Sequence, residues 1–274
     1  MNKIEIRKLR FHYSAGEEIL SDISLDFDAR STAIIGQNGA GKTTFVKLLK
    51  GLLQPVSGDV LIDGINTRDM TVAGLARHVG LVFQNPNDQI FKNKVLDEVM
   101  FGPSNIGQSP DEARASALAA LQMVGLADKQ AENPYDLSLS ERKLISIASI
   151  VAMHTDIIIF DEPTIAQDHA GKERIKAIIR ELAKQGKLVL TIIHDMDFVA
   201  ETFERTLVFA EGKVLLDGPT REVYGLPGIL KQSHLEPPHI TQLYNRIGCQ
   251  GAVLTVEEFI AARRAGTGRP PVSA

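Results

Sequence analysis

The chain has 274 residues, 44% of them hydrophobic, a formal net charge of -4 and a single cysteine, Cys249. That size allows one large core and a small appended unit, while the slight acidity and the lack of a long basic run argue against nucleic acid as a partner. One cysteine forms no internal disulfide, so a reducing compartment is expected; Met1 to Arg10 is too charged for a secretory leader, and with no run of about 18 apolar residues, any membrane role must come through a partner.

Ile4 to Phe11 and Ile23 to Phe27 alternate apolar and polar residues, and Ser14-Ala15-Gly16 between them reads as a turn, which predicts an antiparallel N-terminal layer. Ala33-Ile34-Ile35 is a short apolar strand that runs into Gly36-Gln37-Asn38-Gly39-Ala40-Gly41-Lys42-Thr43-Thr44, and a helical pattern follows. Glycines let this loop curl so that successive amides and the next helix N-terminus face phosphate oxygens. Lys42 adds a point charge for the β and γ phosphates, and Thr43 offers its hydroxyl to Mg2+. Asn38, Gly39, Ala40, Gly41, Lys42, Thr43 and Thr44 are therefore the expected phosphate-binding residues. The loop alone leaves the enzyme class open, because kinases, GTPases, helicases and transporters share it.

Val60 to Gly64 reads as a short strand and Gly80 to Phe83 as a buried one. From Asp97 to Met153 the pattern is helical. Ser109-Pro110-Asp111-Glu112 supplies an N-cap, a proline at the first helical position and acids in the first turn, and Ala113 to Val124 ends at Gly125. Ile157 to Phe160 and Leu188 to Ile193 are continuous apolar runs of the kind buried on both faces of a parallel sheet, and Ala170 to Gln185 between them is a crossover helix. The first run leads into Asp161-Glu162-Pro163. Downstream of a phosphate loop, two carboxylates at a strand end suit Asp161 to orient Mg2+ or its water shell and Glu162 to polarise the attacking water. Thr206 to Phe209 and Val214 to Leu216 form a hairpin around Glu211-Gly212-Lys213. From about Pro227 the chain is punctuated by Pro and Gly, with short amphipathic stretches at Ile240 to Ile247 and Val256 to Arg264; Gly266 to Ala274 is expected to fray.

With these two motifs in place, the chain resembles the ATP-binding cassette ATPases over most of residues 1–222. Gln84 looks like the family's Q-loop glutamine, and Ser138 opens a stretch placed like its signature motif. Asp168 sits where the D-loop aspartate is expected, His194 where the switch histidine belongs, and Tyr13 matches the aromatic that stacks on adenine. The resemblance implies an α/β P-loop NTPase core with a mostly parallel sheet and flanking helices, an N-terminal antiparallel β layer, a helical subdomain at about residues 85–153 and a C-terminal extension over 223–274. It further implies that ATP lies between two head-to-tail subunits, with Glu162 and His194 catalytic and Mg2+ held near Thr43, Gln84 and Asp161. Phe83-Gln84-Asn85-Pro86-Asn87-Asp88-Gln89-Ile90-Phe91 and Phe101-Gly102-Pro103 look like the energy-coupling factor subgroup, which includes cobalt and vitamin importers. In that subgroup two ATPases, at the cytoplasmic face of the membrane, drive a transmembrane coupling protein joined to a substrate-capturing membrane protein.

The signature departs from the family pattern. Where the family has Leu-Ser-Gly-Gly-Gln, this chain has Leu137-Ser138-Leu139-Ser140-Glu141. Ser138 and the helix N-terminus survive, but Leu139 and Ser140 add side chains where glycines allow close approach, and Glu141 brings negative charge toward a polyanion. Loss of one charge-stabilising donor costs roughly 3 kcal/mol in a transition state. The resemblance with this departure leads to an expected heterodimer, in which this chain's phosphate loop meets a partner's intact signature and Ser138, Leu139, Ser140, Glu141 and Asp168 act on the partner's weaker site. The competing readings are a homodimer, a soluble cassette protein outside transport, and a regulatory subunit that binds nucleotide and hydrolyses it poorly.

Overall fold

The computed structural model describes residues 3–14 and 16–265. The expected turn at Ser14-Ala15-Gly16 is thus described only in part, and the tail from Gly266 lies outside the described residues. Strand β1 (Ile4–His12) pairs antiparallel with β2 (Glu18–Phe27). Strand β2 begins earlier than its alternation predicts, because register shifts along the pair break the period of two that marks a strand in sequence. Strand β3 (Thr32–Gly36) is wholly buried and leads through the glycine loop into α1 (Lys42–Leu49). Strands β4 (Ser57–Ile62) and β5 (Ile65–Asn66) complete a four-stranded sheet in the order β2-β1-β4-β5.

After the single-turn α2 (Val72–Leu75), β6 (Val79–Val82) enters a second, six-stranded sheet. The helical region then splits into α3 (Val95–Asn105), α4 (Pro110–Met123) and α5 (Leu139–Val151). Ser109 caps α4 with a full capping box to Glu112, as its sequence predicts. Gly102 in α3 permits close packing: a Cβ there would lie 2.8 Å from Met153 Cγ. The chain returns to the sheet as β7 (Ile157–Asp161), crosses through α6 (His169–Lys184), and forms β8 (Leu188–Ile192), α7 (Met196–Thr202), β9 (Arg205–Ala210) and β10 (Lys213–Pro219). The order is β10-β9-β3-β8-β7-β6, parallel except for the β9-β10 hairpin.

Alternate residues of the central strands serve two cores. Ile157 and Ile159 join Phe45, Leu48, Leu49 and the inner faces of β1, β2 and β4, so α1 lies between the sheets. Ile158 and Phe160 face the other way, toward α5, α6 and α7. Strands buried on both faces read as unbroken apolar runs, as these did in sequence. Beyond the hairpin, α8 (Thr220–Tyr224) ends the ATPase part of the chain, and α9 (Pro227–Gln232), α10 (His239–Arg246) and α11 (Val256–Arg264) form the C-terminal extension. It has a small core of Tyr244, Cys249 and Val253, and it is tied back by Arg221 to Glu258 and by His239 to Asp197.

Candidate functional site

Four adjacent parallel strands, β3, β8, β7 and β6, end side by side, and each carries one expected motif at its C-terminal end. The glycine loop follows β3, His194 follows β8, Asp161 closes β7 with Glu162 next, and Gln84 follows β6. In open α/β sheets this edge is where ligands bind, because the loops there diverge to leave a crevice.

The loop's turns need glycine. Gly39 and Gly41 have φ of 83° and 95°, and a Cβ on Gly41 would come within 2.6 Å of Leu20 Cδ2. Gly36 packs so tightly that a Cβ would lie 2.3 Å from the Phe209 carbonyl oxygen. Lys42 Nζ donates to the carbonyls of Gly36 (2.7 Å) and Gln37 (2.8 Å), which holds it over the loop, and burial lowers its pKa. Tyr13 is 61% exposed and stands edge-on to Phe11, with its hydroxyl 3.3 Å from Thr44 Oγ1. Its free ring face at the loop's rim can stack on a planar base.

Glu162 is 8% exposed and held at a φ of 49°, a strained conformation for a residue with a side chain. Its amide donates to the Ile192 carbonyl at 3.0 Å, which locks the end of β7 to β8. Its Oε1 lies 2.8 Å from Nε2 of His194. A carboxylate beside an imidazole can take a proton from a bound water and keep a second polar group against the same substrate. Asp161 Oδ1 is buried without a hydrogen-bond partner, and burial, with the Glu162 charge adding, raises its pKa against the opposing charges of Lys143 and Lys42.

A cavity of about 300 Å3 joins these groups and is lined by Tyr13, Asn38, Gly39, Gly41, Lys42, Thr43, Thr44, Gln84, Asp161, Glu162 and His194, together with Ile19 and Ile192. Of the expected nucleotide-binding residues Ala40 alone falls outside that lining, and the signature and D-loop residues, expected to act on a partner's site, lie away from it too. Ala40 is buried outside that lining, and its amide donates to the Gln37 carbonyl at 3.2 Å, so it turns the loop. Asp168 caps α6 by accepting from the Gly171 amide at 2.7 Å, away from the cavity. Ser138 caps α5, and its hydroxyl donates to the Glu141 carboxylate at 2.7 Å. Leu139 is exposed, while Ser140 Oγ donates to Gln167 Oε1 at 2.9 Å and Gln167 Nε2 donates back to the Ser140 carbonyl at 3.2 Å. The signature and D-loop residues thus form one cluster that does not line this chain's own cavity.

The donor set suits a hard cation that keeps most of its ligands elsewhere. Among the described residues no group of three His, Cys, Asp or Glu side chains could hold a metal, and the orphaned Asp161 oxygen sits near a threonine hydroxyl and a phosphate loop. Mg2+ is held in this way, by one or two protein oxygens with phosphates and water completing the octahedron.

Sequence reasoning missed Lys143. It is 1% exposed, and its Nζ donates to the carbonyls of Phe83 (2.7 Å), Gln84 (3.0 Å) and Asp161 (3.0 Å). Burial lowers its pKa to about 8. The available signal was a lysine on the stripe Lys143, Ile147, Val151 of a helix that is otherwise core on that face.

A sheet of this order with a glycine loop, a strand-end Asp-Glu pair and a strand-end His is a P-loop nucleotide hydrolase. Comparison with known proteins narrows the class. The family described as ABC transporter matches residues 20–165. A Pyrococcus furiosus protein provisionally named an ABC transporter ATP-binding protein is 42% identical over 94% of this chain and 98% of its own length. The cobalt import ATP-binding protein CbiO of Syntrophus aciditrophicus is 40% identical over 89% of this chain and 88% of that protein. Among solved structures, cbiO1 from Clostridium perfringens, described as part of the ABC transporter complex cbiONQ, matches with a TM-score of 0.76 at 30% identity, over 89% of this chain and 99% of that one. The cassette MJ0796, solved as a dimer bound to ADP and Pi, matches with a TM-score of 0.72 at 27% identity, over 80% of this chain and 99% of that one. The chain belongs to the ABC transporter family: it is an ATP-binding ATPase of the cassette type.

Proposed function

We propose that this chain is an energy-coupling subunit of a membrane importer of the energy-coupling factor type, working as a dimer with a second, non-identical ATPase at the cytoplasmic face of the membrane. The observation that carries the dimer is the separation of its own parts: the cavity has the phosphate loop, Glu162 and His194, while Ser138, Ser140 and Asp168 cluster elsewhere. A second cassette, turned head to tail, closes each cavity with the other's signature. The heterodimer follows from Leu139, Ser140 and Glu141, which crowd and charge the surface this chain offers in return.

ATP binds with its adenine on Tyr13 and its phosphates on Asn38, Gly39, Gly41, Lys42, Thr43 and Thr44. Lys42 exchanges the carbonyls of Gly36 and Gln37 for the β and γ phosphates. Thr43 and Asp161, with Gln84 alongside, would hold Mg2+, whose charge would offset that of the phosphates. Glu162 accepts the proton of the attacking water as its oxygen bonds in line to the γ-phosphorus and the bond from that phosphorus to the β–γ bridging oxygen breaks, so that ADP leaves, while His194 steadies the γ-phosphate. Closure on ATP and release after hydrolysis supply the stroke.

One surface supports the membrane reading. An apolar groove of about 330 Å3, lined by Leu52, Phe83, Phe91, Phe101 and Met153 among others, opens next to Gln84. Phe91 and Phe101 meet edge to face at 4.6 Å under the Lys92 ammonium, and both rings are exposed. A short apolar segment of a transmembrane coupling protein fits such a groove. Among the described residues no helix is long and apolar enough to cross a membrane. We read residues 1–222 as the ATPase domain, with the helical part at 85–153, and the extension after 222 as a further dimer contact through exposed Leu243, Val256 and Ile260. The transported solute is a metal ion or a vitamin, in keeping with the cobalt import relative.

Purification of the tagged chain from detergent-solubilised membranes tests the proposal. A second cassette and two integral membrane proteins should co-purify, and a soluble chain that yields no membrane protein would overturn the importer reading.

A further inference from the structure

A lysine ammonium has three donors, and all three are used on Lys143 inside the protein. The acceptors are backbone carbonyls from two segments far apart in sequence, the turn after β6 and the end of β7, while the lysine itself is on α5, five residues after Ser138. Burying an ammonium is costly unless every donor is satisfied, so its retention in the core calls for a return. A helix that only had to pack here could carry Met or Leu at lower cost. What the ammonium adds is a fixed relation between Gln84, Asp161 and the signature helix, next to two carboxylates whose charges it opposes.

We propose that Lys143 is a positioning residue for the magnesium side of the site: its three hydrogen bonds hold the backbone of Gln84 and Asp161 in register with the signature helix. Arginine cannot replace it, because a planar guanidinium fork does not match three carbonyls converging on one point. The inference rests on the assignment of Gln84 and Asp161 to the metal side, and goes beyond it by placing the control of their geometry on α5.

The test compares Lys143→Met, Lys143→Arg, Gln84→Ala and Asp161→Asn in the assembled ATPase. It reads the Mg2+ concentration for half-maximal activity, KM and kcat separately, metal-free binding of a fluorescent ATP analogue, and amide exchange at residues 83–85 and 161–163. Loss of such a supporting contact typically weakens metal binding 10–100-fold, so Lys143→Met should raise the Mg2+ midpoint at least about tenfold. It should speed exchange at both segments and leave metal-free nucleotide binding within about twofold, with Lys143→Arg giving no rescue. Gln84→Ala added to Lys143→Met should cost less than it costs in the wild type, because both act on one element. If Lys143→Met does not fold, Lys143→Gln, whose amide keeps two donors, takes its place with a smaller shift in the same direction. An unchanged Mg2+ midpoint, or strictly additive effects, overturns the inference. If Gln84→Ala and Asp161→Asn themselves leave the midpoint unmoved, the assignment of the site fails instead.

Discussion

Nε2 of His194 and Oε1 of Glu162 lie 2.8 Å apart at the ends of neighbouring strands. The strained φ of 49° at Glu162 brings its carboxylate to that imidazole, and the amide bond to Ile192 holds it there.

Glu162→Gln should bind ATP with near wild-type affinity and hydrolyse it at least about a hundredfold more slowly, since a positioned general base contributes roughly two to four orders of magnitude. Phosphate release together with binding of a fluorescent ATP analogue checks both halves. Near-normal turnover removes Glu162 from the role of base.

Gly36→Ala should destabilise the fold by more than about 2 kcal/mol, because the added Cβ meets a backbone oxygen that no side-chain rotation can relieve. Denaturant unfolding of the two proteins reads the difference. Equal midpoints contradict the packing described between β3 and Phe209.

Lys50 gives a pH signature. Burial lowers its pKa from 10.5 to about 8, and it donates to the Val79 carbonyl. Below pH 8 folded and unfolded chains both hold the proton, and between about 8 and 10.5 the unfolded chain holds more, so this group raises stability as pH rises through that window. The stability of the wild type relative to Lys50→Met should therefore climb across the window and be flat below it. A difference that stays constant throughout rules the shift out.

The triple exchange L139G/S140G/E141Q tests the altered signature. It removes two side chains from the surface offered to a partner's nucleotide and, with them, the Ser140 Oγ bond to Gln167, while the Gln167 bond to the backbone carbonyl at 140 stays available. If this signature limits turnover when the chain pairs with itself, phosphate release by the chain alone should rise at least about tenfold. An unchanged rate would show that the native motif is adequate.

The site was legible where its chemistry is local. The glycine loop, the Asp-Glu pair and His194 each close an apolar run, and the sheet only had to bring those runs side by side. Gln84 needed its place after Phe83 and the family pattern, since a lone glutamine carries no chemistry of its own. Lys143 was hidden because its partners are carbonyls, which every residue has, from segments 18 and about 60 positions away. Ala40 shows a related limit: a loop residue's amide can face a phosphate or close a turn, and only the backbone path shows which. Within the helical stretch from Asp97 the bounds of α4 were legible from the Ser109 cap and Gly125, while the start of α5 lies at Ser138, whose side chain accepts from the Glu141 amide.

On the proposed reading, this chain's nucleotide cavity is completed from outside, by another subunit's signature. Phosphate release by the purified chain, alone and with the second cassette that co-purifies with it, tests this most directly. Turnover should be weak for the chain alone and rise steeply and cooperatively on adding the partner, and the rise should be lost when the partner's signature serine is replaced by Ala. Full cooperative turnover by the chain alone would contradict it.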